Sequence, residues 1–73
     1  MEKINELTNL RIGDKVYAPL LDRYFLILTY SYNNTYNEMY ANLTPSIENP
    51  SENGFQATLV TMIELDYWRV TQR

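Results

Sequence analysis

The sequence contains no cysteine and no histidine, and it has only two glycines, Gly13 and Gly54. Without cysteine and histidine the chain has no disulfide, no Cys/His zinc site, no thiol nucleophile and no imidazole base. Two isolated glycines cannot supply the glycine-rich loop that cradles phosphate groups in the common nucleotide-binding motifs. The sequence therefore predicts a protein that is not an enzyme and has no catalytic residues, no metal site and no cofactor.

Long apolar segments are absent as well. The longest apolar runs have four residues, at 18–21 and 25–28, whereas a membrane-spanning helix needs about 20. The first ten residues carry Glu2, Lys3 and Glu6 and lack the apolar core of a secretory signal. We therefore expect a cytoplasmic protein that does not enter membranes. Its 73 residues predict a single small domain over residues 1–73.

Positive charge is missing from the middle of the chain, because residues 24–68 contain no lysine or arginine. The same stretch holds the carboxylates Glu38, Glu48, Glu52, Glu64 and Asp66. Binding to a nucleic-acid backbone requires clustered cations, so direct nucleic-acid binding is not expected. Two interpretations remain open. The carboxylates either keep a small domain in solution, or they form an acidic surface that docks on a basic partner, such as the nucleic-acid groove of a host protein.

Local patterns predict a mainly β protein. The turn signal Gly13-Asp14 precedes a short strand at 15–18, which Pro19 ends. Residues 23–32 are rich in aromatic, β-branched and other apolar side chains and give the clearest strand pattern. After this strand we expect a return strand over 35–43, a loop over 44–54, and strands over 55–64 and 67–71. Near the start of the chain, residues 3–10 could form one or two helical turns with Ile4, Leu7 and Leu10 on one side.

The two asparagines at 33–34 fit a two-residue hairpin turn, because asparagine tolerates the left-handed backbone that such turns require. This turn would place Leu26 opposite Ala41 and Leu28 opposite Met39, on an apolar inner face. The other face of the hairpin is then unusually aromatic. Its burial requires either internal cover, for example from the N-terminal turn, or a partner.

Four or five antiparallel strands that close on themselves, with a tight turn at 65–66 before the last, describe a small SH3-like barrel with a short N-terminal helical turn. Residues 12–20, IGDKVYAPL, resemble the first strand of small SH3-like barrel proteins of phage and prophage origin. The ending at 66–70, DYWRV, is similar to that of small phage proteins that sequester signalling nucleotides. These resemblances imply a barrel fold and a phage or mobile-element product.

The sequence thus predicts a protein-binding module that inhibits or adapts a host protein. Tyrosine and phenylalanine are enriched at protein interfaces, so we expect the aromatic hairpin face to contact the partner, together with nearby carboxylates. The predicted interface residues are Phe25, Ile27, Tyr36, Glu38, Tyr40, Glu48 and Glu52.

Alternatives from other classes remain open. One is a nucleotide-binding sponge that uses Tyr67, Trp68 and Arg69, and another is a homo-oligomeric structural component with a self-complementary aromatic face. Glu64 and Asp66 would project together if their strand continued, and such a pair could hold Mg²⁺ or act as acid and base. Carboxylates at a strand end are more often simply solvated.

Overall fold

The computed structural model describes residues 1–49 and 53–72. Within them the strands form one antiparallel sheet with the order β1-β6-β2-β3-β4-β5. The sheet does not close into a barrel in the described part of the chain, and β1 and β5 are its two edges. The elements are β1 (Glu2–Lys3), β2 (Lys15–Ala18), β3 (Arg23–Asn33), β4 (Glu38–Pro45), β5 (Phe55–Ala57), α1 (Leu59–Glu64) and β6 (Trp68–Arg69).

Strands β2 and β3 lie where local sequence signals place them. Strand β2 has the predicted bounds, and β3 extends the predicted 23–32 by one residue. Gly13 has φ +93°, a left-handed conformation that suits glycine, in the turn before β2. Asp14 is buried and its carboxylate accepts a hydrogen bond from the Arg11 backbone N–H at 2.9 Å, which holds this turn closed.

The predicted register of the β3–β4 hairpin is wrong. The turn spans residues 34–37 rather than two asparagines, and Asn37 is the residue with positive φ, at 54°. Asn33 pairs with Glu38 and Tyr30 with Ala41, and the register then shifts between Ile27 and Thr29. Several asparagines near the tip tolerate the left-handed backbone, so the turn residues alone do not select one register.

The shift in register is a β-bulge at Leu28, and it decides which face of β3 is buried. Phe25 and Ile27 are each 1% exposed and lie in the core, whereas Leu28 is 59% exposed. The expectation that Leu26 and Leu28 form the inner face is therefore corrected. A bulge adds one residue to a strand and so exchanges the faces of the residues beyond it.

The predicted helical turn over 3–10 is also wrong. Residues Glu2 and Lys3 pair with Arg69 and Trp68 as a short edge strand. The residues that follow form a turn in which the Asn5 side-chain oxygen accepts a hydrogen bond from the backbone N–H two residues on, at 2.8 Å. Ile4 is buried and Leu10 packs against the core, but Leu7 is exposed, so the three side chains do not form one apolar helix face.

The strand predicted over 55–64 divides into β5 and α1. Thr58 caps the helix, because its hydroxyl oxygen accepts a hydrogen bond from the Thr61 backbone N–H at 3.1 Å. Met62 is buried, and Leu59 and Ile63 pack against the core at the three- and four-residue spacing of a helix. Asp66, with φ 60°, turns the chain into β6, in agreement with the turn predicted at 65–66.

The core lies on the side of the sheet that faces α1, which we call the concave side. Phe25 packs edge-on against Phe55 with ring centroids 4.9 Å apart, which joins β3 to β5. In the described residues no helix has the length and apolar character that a bilayer span demands. The buried apolar residues are Ile4, Val16, Ala18, Phe25, Ile27, Ala41, Leu43, Ala57, Met62 and Tyr67.

Candidate functional site

Beyond the bulge, β3 and β4 continue as a hairpin whose concave side is apolar but not covered. Tyr30 pairs with Ala41 and Tyr32 pairs with Met39, so these four side chains follow one another on that side of the sheet. Ala41 is buried, whereas Tyr32 and Met39 are 51% and 54% exposed. The outer half of the hairpin therefore carries apolar side chains past the edge of the core.

Tyr30, Met39 and Ala41 form one wall of a groove of about 440 Å³. Helix α1 supplies the opposite wall, and residues 8–10 close one end, where the Tyr30 hydroxyl donates a hydrogen bond to the Leu10 carbonyl oxygen at 3.1 Å. We call this cavity the hairpin groove. It is lined by Thr8, Asn9, Leu10, Tyr30, Met39, Ala41, Leu59 and Met62.

The hairpin groove continues into a second cleft of about 480 Å³ at the edge of β4, because Met39 and Leu59 line both cavities. Val60, on the first turn of α1, is 62% exposed at its border. We call this cavity the edge cleft. It is lined by Glu38, Met39, Tyr40, Thr58, Leu59, Val60 and Thr61.

Glu38 gives the edge cleft a negative charge. Its carboxylate accepts a hydrogen bond from the Tyr40 hydroxyl at 2.6 Å, and this bond, with the neighbouring charge, raises the pKa of Tyr40 above its usual value of 10.0. Neither cavity has a lysine or arginine among its lining residues. The edge cleft therefore combines exposed apolar side chains with a carboxylate that no lining cation neutralises, and the hairpin groove has no charged lining residue.

The convex side of the same hairpin is polar. The Asn42 amide donates hydrogen bonds to the hydroxyl oxygens of Thr29 and Ser31 at 2.9 and 2.8 Å, and it accepts one from Gln56 at 2.7 Å. These four side chains satisfy one another across three strands. The apolar surface of the hairpin is thus confined to the concave side.

The structure separates the predicted interface residues. Phe25 and Ile27 are core residues, so the shared exposed face with Tyr36 and Tyr40 does not exist; the β-bulge is the physical reason. Tyr36 is 70% exposed in the hairpin turn. Glu38 and Tyr40 lie together at the edge cleft, but Glu48 lies elsewhere and Glu52 falls outside the described residues.

Glu48 has a structural role that sequence patterns do not indicate. Its carboxylate is hydrogen-bonded to the ammonium of Lys15 and to the Ser46 hydroxyl, which ties the loop after β4 to strand β2. The neighbouring Asn49 is buried and accepts a hydrogen bond from the Tyr24 backbone N–H at 2.8 Å. The Lys15 and Ser46 hydrogen bonds lower the pKa of Glu48 to about 2.

We expect Glu48→Gln to lower the melting temperature at pH 7, and we expect this difference from wild type to shrink steadily as the pH falls from 4.5 to about 2. A carboxylate whose pKa falls from 4.5 to about 2 on folding stabilises the fold above pH 4.5, and this contribution is lost as the pH falls through 2. The measurement is the melting temperature of both proteins from pH 7 to pH 2. Glu6→Gln, on an exposed turn, is the matched control. A constant difference between wild type and Glu48→Gln at all pH values would contradict this assignment.

The side chains predicted for the nucleotide site and for the carboxylate pair make other contacts in the structure. Tyr67 is 3% exposed and belongs to the core, and the Arg69 guanidinium donates to the Glu2 carboxylate at 2.9 Å. Asp66 pairs with the ammonium of Lys3 at 2.9 Å, and Glu64 lies at the end of the helix. Among residues 1–49 and 53–72 no three acidic side chains converge on a metal site.

Sequence patterns missed the groove because it depends on α1. The available signal was Thr58, a residue suited to a helix N-cap, followed by apolar residues at 59, 62 and 63. Comparisons of the chain with protein-family models, with curated proteins and with solved structures find no match.

Proposed function

We propose that this protein is a non-enzymatic, acidic module that binds another protein through the hairpin groove and the edge cleft. The observation that carries the proposal is the continuity of the two cavities across Met39 and Leu59, with Met39 and Val60 left exposed. Contiguous exposed apolar surface on a small protein marks an interaction site. The proposed interface retains Glu38 and Tyr40 and replaces Phe25 and Ile27 by groove residues.

The charge of this region defines the chemistry of the partner. The part of the hairpin beyond the bulge, β5 and α1 all belong to the stretch 24–68, which contains no lysine or arginine. A partner that offers apolar side chains flanked by lysine or arginine would meet complementary potential here, while an acidic partner would be repelled. A basic host protein with a nucleic-acid-binding surface fits this description. We further propose that the protein is of phage or mobile-element origin and that it acts in the host cytoplasm.

The proposal includes the finer description of the fold as an SH3-like barrel. Its support is the order of elements, in which the last strand, β6, follows a short helix and pairs back onto β2. Together with the resemblance of residues 12–20, this order favours an SH3-like arrangement in which β1 extends the sheet. An experimental structure at atomic resolution, and its comparison with barrels of that class, tests this point.

The binding proposal is tested with Met39→Asp and Val60→Asp, which place a carboxylate on the apolar surface of the cavities. Partners retained by the immobilised wild-type protein are identified by mass spectrometry, purified, and titrated against each variant by calorimetry. We expect each substitution to weaken binding at least about tenfold, because a buried interfacial charge without a partner is strongly unfavourable.

The matched control is Leu20→Asp, an exposed apolar residue in the turn between β2 and β3. It changes the net charge equally and should alter the dissociation constant less than about twofold. If a purified partner binds all three variants as tightly as it binds the wild type, the cavities are not the interface. Size-exclusion chromatography at increasing concentration separates this proposal from a homo-oligomeric component, which would elute as a multimer.

A further inference from the structure

Strand β4 is longer than the strand that pairs with its outer edge. Strand β5 pairs with β4 only at Ala41, Asn42 and Leu43. If the pairing continued, Thr58 would lie opposite Tyr40, but at Thr58 the chain leaves the sheet and caps α1. In the described part of the chain, no strand pairs with the outer edge of residues 38–40. That edge borders the edge cleft.

Residues 38–40 present different chemistry on the two sides of the sheet. Met39 faces the concave side with Ala41 and contributes to the hairpin groove. Because strand side chains alternate, Glu38 and Tyr40 face the convex side, where they are hydrogen-bonded to each other. A strand laid against this edge would have its alternate side chains beside Met39 and Leu59 on one side, and beside the Glu38 carboxylate on the other.

We propose that a segment of the partner adds to this edge as an antiparallel or parallel strand, in line with β5, and that it alternates apolar and basic residues. The inference rests on the proposed function and specifies its mode. Backbone hydrogen bonds to residues 38–40 would supply affinity, as in other cases of strand addition. The apolar side chains would enter the hairpin groove, and a lysine or arginine would lie beside Glu38. Three residues of free edge equal the length over which β5 itself pairs with β4.

Charge selects this occupant over a second copy of the chain. A second copy paired through the same edge would present the same cation-free residues and could offer Glu38 no lysine or arginine. At the other edge of the sheet, the Lys3 ammonium of β1 is already paired with Asp66 at 2.9 Å. Opposite-charge pairs across neighbouring strands are stabilising, whereas the absence of a counter-charge leaves the carboxylate to be desolvated without compensation. The partner segment is therefore basic.

The probes are two blocked peptides of equal composition, the alternating KVKFKVK and the rearranged KKVFVKK. Binding to the ¹⁵N-labelled protein is followed by NMR titration and by amide hydrogen exchange. We expect the alternating peptide to bind at least about tenfold more tightly, and to protect backbone amides of residues 38–40, because only alternation places apolar side chains on one side of a strand.

Two further comparisons separate strand addition from simple charge attraction. Two versions of the alternating peptide each carry a single N-methyl group, at one or the other of two adjacent central positions. One version should not bind and the other should bind normally, because neighbouring N–H groups of a strand point in opposite directions. Glu38→Lys should weaken binding about fivefold. Glu6→Lys, the matched change of charge on the turn after β1, should leave the affinity unchanged.

Each other outcome overturns the inference and points elsewhere. If the two peptides bind equally tightly and Met39→Asp weakens the binding of both, the groove remains the interface but strand addition is excluded. If neither peptide binds the wild-type protein, addition of a basic strand is excluded. The proposed function is then decided by the titrations with the purified partner. Concentration-dependent dimerisation with protection of residues 38–40 would identify a second copy as the occupant.

Discussion

Replacing Phe25 by alanine is expected to leave the protein largely unfolded at room temperature. Phe25 is 1% exposed and packs against Phe55 across the sheet. Truncation of a buried phenylalanine costs about 3–5 kcal/mol, and a domain of this size without disulfides or metals has a total free energy of unfolding of about 3–5 kcal/mol. Urea denaturation followed by circular dichroism and by the fluorescence of Trp68 measures the effect.

Leu28→Ala is the control that makes this experiment decisive. Leu28 lies at the bulge and is exposed, so its truncation should change the free energy of unfolding by less than about 0.5 kcal/mol. The two-residue turn predicted from sequence would require the opposite ranking, with Leu28 buried and Phe25 on the outer face. A larger loss from Leu28→Ala than from Phe25→Ala would therefore reject the bulge.

Gly54→Ala is expected to detach strand β5 from the sheet. A Cβ atom at this position would lie 2.5 Å from the Leu43 carbonyl oxygen, far inside van der Waals contact and against backbone that cannot rotate away. Because strands β4 and β5 must separate to accommodate it, we expect a loss of about 2 kcal/mol, within the range for overpacking. Hydrogen exchange should accelerate at residues 55–57 more than in β2 or β3.

The adjacent substitution Asn53→Ala serves as the control for Gly54→Ala. Asn53 is exposed, so its truncation leaves an alanine side chain in solvent, next to the position where Gly54→Ala adds one against the backbone. Its effect on the free energy of unfolding should stay within about 0.5 kcal/mol. Equal stability of Gly54→Ala and Asn53→Ala would show that the two strands do not approach this closely.

Strands encoded by local chemistry could be predicted from the sequence. Pro19 and the glycine turn bracket β2, and the aromatic and β-branched run of 23–32 defines β3 within one residue. These signals lie within or beside the elements themselves. The predictions of a mainly β fold and of a turn at 65–66 follow from such signals and are confirmed.

Helix α1 and the β-bulge could not be predicted, because the local sequence there is compatible with two conformations of similar energy. Residues 59–63 can be interpreted as an alternating strand or as a helix with apolar positions 59, 62 and 63, and only packing against the core decides between them. The bulge at Leu28 is not marked by glycine, so the face of Phe25 could not be inferred. The aromatic side chains and nearby carboxylates of the hairpin indicate Glu38 and Tyr40 as candidates, but their neighbours Leu59 and Val60 come from the helix, which the alternating pattern does not indicate.

The place of β6 in the sheet has a consequence for synthesis on the ribosome. Strand β6 lies between β1 and β2 and pairs with both, so neither the first strand nor one side of the second has its partner until residue 69 has been made. Non-local pairing of this kind delays folding. Until then the emerging chain would expose β1 and one edge of β2 to the surroundings of the ribosome, and the sheet would be completed only when β6 becomes available for pairing.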